Sequence, residues 1–207
     1  MDKYDRYEQL VIGIDQSYQR TGISLVIDGK LRDIKSIELA KCKNNSERRG
    51  VLRTKLQHLL SSVTNKADEI ICVCERARIH GGQTSFINID AIKAMGALTS
   101  VIVDVCYEYD IPVYSVDTRA WKAQVVGTSK PQANKFGVPE EKWPTVKWVI
   151  GKGFESKILI DVTNTRKQKG TFERDGNKYM YNNDAADSAG IAMYYIIGDR
   201  EKLQKER

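Results

Sequence analysis

Residues 10–29, LVIGIDQSYQRTGISLVIDG, decide the fold. The stretch opens on β-branched and apolar residues and stops in an acid, Asp15; residues 16–21 are polar and turn-like, and residues 22–27 are a second apolar run. Asp28-Gly29 is the kind of pair a two-residue hairpin needs, because both central positions of such a turn take positive φ. Residues 31–39 read as a third strand, so three antiparallel strands open the chain. Beyond them, Val51, Leu52, Leu56, Leu59 and Leu60 recur at helical spacing over residues 45–63. Residues 69–75, EIICVCE, read as a buried strand, and residues 111–116 as a fifth. Between these two lies a helix over 86–109, with Ser85 as its cap. Its apolar residues, Ile89, Ile92, Met95, Leu98, Val101, Ile102, Val105 and Cys106, cover more than one face, as in a helix packed on a sheet and on a second subunit. A strand–helix–strand unit favours parallel pairing.

The remainder reads as a short helix over 119–126 ended by Gly127, a polar loop over 129–138, and a helix over 140–150 with Pro144 in its first turn. Residues 152–182 hold a β-like patch at 158–162, a basic run and an Asp175-Gly176 turn, and read as a hairpin or flexible flap. A final helix over 183–197 has Ala186, Ala189, Gly190, Met193 and Ile197 on one side. The expected class is α/β: a mixed five-stranded sheet, its first three strands antiparallel, flanked by helices.

The 207 residues suit one domain, 1–207, with a basic insertion around 128–182. No run approaches the ~20 apolar residues that span a bilayer. The first nine residues are charged and lack a secretory leader's apolar run. The expectation is therefore a cytoplasmic protein with no membrane partner. Cys42, Cys72, Cys74 and Cys106 fit reduced thiols there. With His58 and His80 as the only histidines, no zinc-ligand spacing exists. The net charge is +6, and residues 120–182 hold twelve Lys and Arg against six Asp and Glu. The whole surplus lies in that segment, as expected of a surface that meets phosphate; a solvated lysine-rich loop is the plainer reading.

Four acids stand where a core would not place them. Asp15 and Glu75 each end an apolar strand, and Asp184 and Asp187 open the alanine-rich last helix three residues apart, hence on one face. Each has an ordinary explanation alone: Asp15 as a turn cap, Glu75 paired with Arg76 or Arg78, Asp184 and Asp187 at a helix dipole. Together, with the strands adjacent and the helix crossing their ends, the four converge. Clustered carboxylates repel, and a divalent cation relieves the repulsion. All-oxygen ligands favour magnesium or manganese over zinc. Two such ions about 3.5–4 Å apart form the clamp used in phosphodiester hydrolysis. Asp117, after the fifth strand, lies near the same end without being counted in the set.

Four segments now carry a resemblance. GIDQSYQRTGISLV (13–26) resembles the opening hairpin of the RuvC family of Holliday-junction resolvases, within the RNase H-like nucleases. CVCERA (72–77) is similar to that family's second motif, WKAQVVGT (121–128) to its VK-x-x-V-x-G element, and NDAADSAGIAM (183–193) to its final D-A-A-D-A helix. The motifs follow the family's order over most of the chain. The resemblance implies an RNase H-like fold. It implies Asp15, Glu75, Asp184 and Asp187 as magnesium-binding catalytic acids, manganese being a substitute, with two ions per site. It also implies Lys122 as the basic residue beside the scissile phosphate. The family's second lysine maps to Lys142, or alternatively to Lys147. DNA contact then falls to Lys122, Lys142, Lys147, Arg166, Lys167 and Lys169. A homodimer nicking two strands of a four-way junction symmetrically, leaving 5′-phosphates, is the activity implied.

The chain departs from the family in its long segment between Gly127 and Asp184, and in having Ile79 rather than an aromatic soon after the second motif. A diverged, phage-type relative fits those departures. Three other readings use the same residues. A broader RNase H-like nuclease would act on flaps, other branched DNA or RNA–DNA hybrids. A protein of the actin and sugar-kinase class would lack its second domain and its second Gly-rich phosphate loop. A non-catalytic DNA-binding protein would gain nothing from carboxylates that repel phosphate.

Overall fold

The computed structural model describes residues 6–76, 89–163 and 170–206. The elements run, in order, β1 (Tyr7–Asp15), β2 (Arg20–Ile27), β3 (Lys30–Glu38), α1 (Asn45–Val63), β4 (Ala67–Glu75), α2 (Ile89–Glu108) and β5 (Val113–Val116). Next come α3 (Thr118–Trp121), continued by a π-helical turn at Lys122–Val126, then α4 (Trp143–Gly151), α5 (Glu155–Ile158) and β6 (Leu159–Asp161). The chain closes with β7 (Thr171–Arg174), β8 (Asn177–Tyr181), α6 (Asn183–Ile197), a 3-10 turn at Arg200–Lys202 and β9 (Gln204–Lys205).

The main sheet has the order β3-β2-β1-β4-β5-β9. β1, β2 and β3 are antiparallel, while β1, β4 and β5 are mutually parallel neighbours. Both Asp-Gly turns behave as their composition requires: Asp28 and Gly29 take φ 48° and 74°, and Asp175 and Gly176 take 53° and 77°. The expected five strands gain a sixth, β9, which covers the outer edge of β5 through Tyr114 and Ser115. Residues 152–182 hold more than a hairpin, since β6, β8 and β7 form a separate three-stranded antiparallel sheet. The Ser85 cap lies outside the described residues.

Two cores lie on opposite faces of the main sheet. Leu10, Ile12, Ile14, Cys72 and Cys74 point to one side, against Leu52, Leu56 and Leu60 of α1 and Leu98, Ile102 and Val105 of α2. Val11, Ile71 and Val73 point to the other, against Trp121 and Ile191, Ala192 and Tyr194 of α6. Burial on both sides explains why β1 and β4 are near-continuous apolar runs. A third cluster joins α4, α6 and the small sheet: Val146, Val149, Ile158, Tyr181, Ala185 and Ala189, with the rings of Phe136, Trp143 and Phe172 against it. Among the described residues no helix is long and apolar enough to cross a membrane.

What positions α6 is the absence of side chains. A methyl group on Gly13 would overlap the backbone oxygen of Ser188, and one on Gly22 the backbone oxygen of Asp184. The helix therefore lies directly on the backbones of β1 and β2. Ser24 Oγ donates to the Ser188 carbonyl at 2.8 Å across the contact. Gly22→Ala must push the first turn of α6 off the sheet. It is expected to cost about 2–4 kcal/mol of unfolding free energy, at or above the usual range for overpacking, measured by urea denaturation. A loss below about 0.5 kcal/mol would show that the helix is free to shift.

Candidate active site

The acids meet because of strand register. Ile14 of β1 pairs with Cys74 of β4, so Asp15 and Glu75 come next at the same end of neighbouring parallel strands. Asp15 also pairs across β2 with Gly22, the residue on which α6 rests. That contact delivers Asp184 and Asp187, one helical turn apart, to the same end. Asn182 caps α6 by accepting from the Ala185 amide at 3.1 Å, so neither aspartate is needed as the cap. Arg76 donates to Ser115 and to the Lys202 carbonyl, leaving Glu75 for the site. Asp117 caps α3 through the Arg119 amide at 2.9 Å.

These carboxylates are held largely out of water. Asp15 is 6% exposed and Asp187 1%. Burial raises the Asp15 carboxyl well above the usual range; the Lys142 ammonium opposes this, while Glu75, Asp187 and Asp184 add to it. Burial likewise raises Glu75, against a hydrogen bond from Thr118 and with Asp187 adding to the rise. It raises Asp184 too, against Lys142 and with Asp187 adding, while a bond from Ser17 and the charge of Arg20 pull down.

Both lysines of the resemblance enter this cluster. Lys142, just before α4, places its ammonium in contact with Asp187 Oδ2. Burial alone would lower its pKa, but Asp187, Asp15 and Glu75 together hold it above the ordinary value. Lys122, at the start of the π-helical turn, lies 4.0 Å from the same oxygen and donates to the Glu141 carbonyl at 3.1 Å. Lys147 instead is exposed on α4, beside an open groove lined by Val126, Thr128, Gln132, Trp148 and Lys152. Arg166, Lys167 and Lys169 lie outside the described residues.

Three residues outside the expected set of site residues also contribute. Thr118 Oγ1 donates to Glu75 Oε1. Gln16 is buried, and its Nε2 donates to the Glu75 carbonyl at 2.6 Å and to Thr99 Oγ1 at 3.3 Å. Ser17 bonds Asp184. Gln16 and Ser17 carry a signal, being polar residues directly after a strand-ending acid. Thr118 shows its role only through the pairing of Glu75 with Val116.

The donor set is one that suits a hard divalent cation: carboxylate oxygens only, with Asp187 Oδ1 buried and lacking any hydrogen-bond partner. Among the described residues no three Asp, Glu, His or Cys side chains are drawn together tightly enough to close on an ion as they stand. The charge that faces all four acids is the Lys142 ammonium.

A carboxyl whose folded-state pKa is raised stabilises the fold below its unfolded pKa and loses that contribution as the pH climbs through the raised value. Without divalent cations the Asp15 carboxyl therefore opposes folding increasingly as the pH rises. Asp15→Asn is expected to raise the melting temperature in EDTA at pH 7 by about 2–4 °C. The gap should close as the pH falls through the raised Asp15 pKa. A melting temperature below wild type at pH 7 would show that attraction to Lys142 outweighs burial.

No family model matches the chain, and no curated protein matches it in sequence. Solved structures do match. Thermus thermophilus RuvC bound to a Holliday junction substrate aligns with TM-score 0.60 at 15% identity, over 95% of this chain and 99% of that one. The T. thermophilus RuvC structure gives 0.55 at 15% identity, with the same coverage. The yeast mitochondrial Holliday junction resolvase Ydc2 gives 0.50 at 15% identity, over 94% of this chain and 80% of that one. With its sheet order, its antiparallel opening and its flanking helices, the chain has the RNase H-like fold of the RuvC resolvases.

Proposed function

We propose that this protein is a magnesium-dependent, structure-selective DNA endonuclease that resolves four-way junctions by paired nicks, acting inside the cell as a homodimer. The observation that carries the reading is the set of four carboxylates, from β1, β4 and α6, brought to one end of the sheet with a buried Asp187 oxygen left without a partner. The match to a RuvC structure bound to a junction adds support at the level of the fold. A protein that only bound DNA would gain nothing from acids that repel phosphate.

Asp15, Glu75, Asp184 and Asp187 would hold magnesium, or manganese in its place, with up to two ions per site. The chemistry supplied there is a lowered pKa for the attacking water and a counter-charge for the leaving oxygen. The protein's own residues aim the acids and offset part of the cost of burying them. Thr118 orients Glu75, Ser17 orients Asp184, and Lys122 sets positive charge beside Asp187. Cleavage would leave a 5′-phosphate and a 3′-hydroxyl. Lys122, Lys142, Lys147, Arg166, Lys167 and Lys169 would meet the backbone as point charges, fixing register without reading sequence.

The test is cleavage of a labelled four-way junction beside matched flap, duplex and RNA–DNA hybrid, with magnesium. Paired symmetric nicks in the junction, lost by at least about 10³-fold in both Asp15→Asn and Asp187→Asn, are expected. Better cutting of flaps or hybrids would move the function to a broader nuclease. Tight junction binding without any cutting would leave a binding protein. Six phosphate contacts would weaken junction binding roughly 10³-fold between 50 and 200 mM salt. A flat salt response, read by fluorescence anisotropy, would remove the phosphate-contact surface from the argument.

A further inference from the structure

Four carboxylates share this site with two ammonium groups, and the two are placed differently. Lys122 is enclosed: its side chain is 8% exposed and its Nζ also donates to a backbone carbonyl. The Lys142 side chain is 30% exposed. It springs from the loop residue that precedes α4, whose backbone amide is tied to Pro139 at 2.8 Å. Its ammonium reaches inward to Asp187 Oδ2 while its charge acts on Asp15, Glu75 and Asp184. It thus has a fixed root, a flexible stem and a path back to solvent. It also satisfies Asp187 from one side only, since Oδ1 of that carboxylate is buried without a partner. Of the two ammonium groups only that of Lys142 acts on all four acids, and among the described residues no three acids are drawn together closely enough to hold an ion as they stand.

We propose that Lys142 is a built-in counter-ion that occupies the cation position of the free protein and is displaced when a divalent metal binds. The inference rests on reading the four acids as a metal site. Metal loading is then a competition between an ammonium tethered to the loop before α4 and a divalent ion from solution. Lys142 keeps the empty site from flying apart, and it weakens the site's affinity for metal by the same attraction. Once expelled, its ammonium lies at the mouth of the site, where it is available to a DNA phosphate.

The competition is read by metal binding alone, without any cleavage. Titration with Mn2+, followed by the EPR signal of the free ion, would compare wild type, Lys142→Met, which keeps the stem and removes the charge, and Lys30→Met, which removes an exposed charge at the end of β2 and β3 away from Gly22. Lys142→Met is expected to bind Mn2+ about tenfold more tightly or better, since one unit charge is removed from within contact distance of the ligands. Lys30→Met should match wild type. Equal or weaker binding by Lys142→Met overturns the counter-ion role while leaving the metal site in place. No Mn2+ binding by any of the three proteins overturns the metal site itself, and the counter-ion role with it.

A second measurement uses wild-type protein, in case the uncompensated acids of Lys142→Met prevent folding. Acetylation of Lys142 by a water-soluble reagent, followed by mass spectrometry with Lys147 as internal reference, should be slow in EDTA and several-fold faster with saturating Mn2+. An unchanged ratio of the two rates would show that the ammonium stays in place, and would sink the proposal.

Discussion

Carboxylates gathered out of water repel one another, and each loses the hydration that would make its charge tolerable. The site's surroundings answer that cost in several ways. Asp187, the most enclosed of the four, has the ammonium groups of both Lys122 and Lys142 beside its Oδ2. Glu75 takes the Thr118 hydroxyl and Asp184 a bond from Ser17. Even so, burial leaves Asp15, Glu75 and Asp184 with raised pKa values, and one Asp187 oxygen is left unbonded. A structural ion-pair network would be expected to saturate such atoms. Residual negative charge and an unbonded buried oxygen are what a site prepared for a cation looks like before the cation arrives.

That charge can be concentrated only because α6 lies so close to the sheet. The helix rests on the backbones of Gly13 and Gly22, where any side chain would collide with it, and Gly190 admits the Trp121 ring on its other side. Alanines 185, 186, 189 and 192 line the same helix and are all buried. The alanines serve both position and helix propensity, whereas Gly190 serves position alone, since glycine within a helix is locally unfavourable. The register of β1 on β4 sets two acids side by side, and the depth of α6 sets the height of the other two. Loosening either would part the cluster.

The sequence made legible whatever rests on local chemistry. Helix periodicity marked out Asn45–Val63 and Asn183–Ile197 with their observed bounds, and the two Asp-Gly pairs turn as such pairs must. The converging acids were readable because a charged residue ending a buried strand conflicts with its surroundings. Elements built from long-range contacts were not readable. β9 is two residues long and exists only because β5 offers an unpaired edge. In the small sheet the β-like patch at 158–162, where β6 lies, and the Asp175-Gly176 turn were legible, but the pairing of β6 with β8 that makes a third strand was not. The choice between Lys142 and Lys147 also lay beyond periodicity. It depends on how residues 127–142 fold back, through Gln132 bonded to the Glu140 carbonyl and Asn134 bonded to Val138.

The segment that the family resemblance left as an oversized insertion is joined to the acids by the shortest possible connection. β8 ends at Tyr181, Asn182 caps α6, and Asp184 stands in its first turn. Tyr181 stacks on Phe172 at 5.1 Å between ring centroids and meets Phe136 edge-on at 5.7 Å, while Phe136 packs on Trp143, the residue after Lys142. One aromatic cluster therefore grips both the strand that leads into Asp184 and Asp187 and the helix start that carries Lys142. Aromatic contacts of this kind resist sliding, because ring offset and tilt are specific. The position of the ammonium relative to the carboxylates is thus set by hydrophobic packing outside the site, and the insertion that brings most of the chain's net positive charge also anchors the acids that this charge faces.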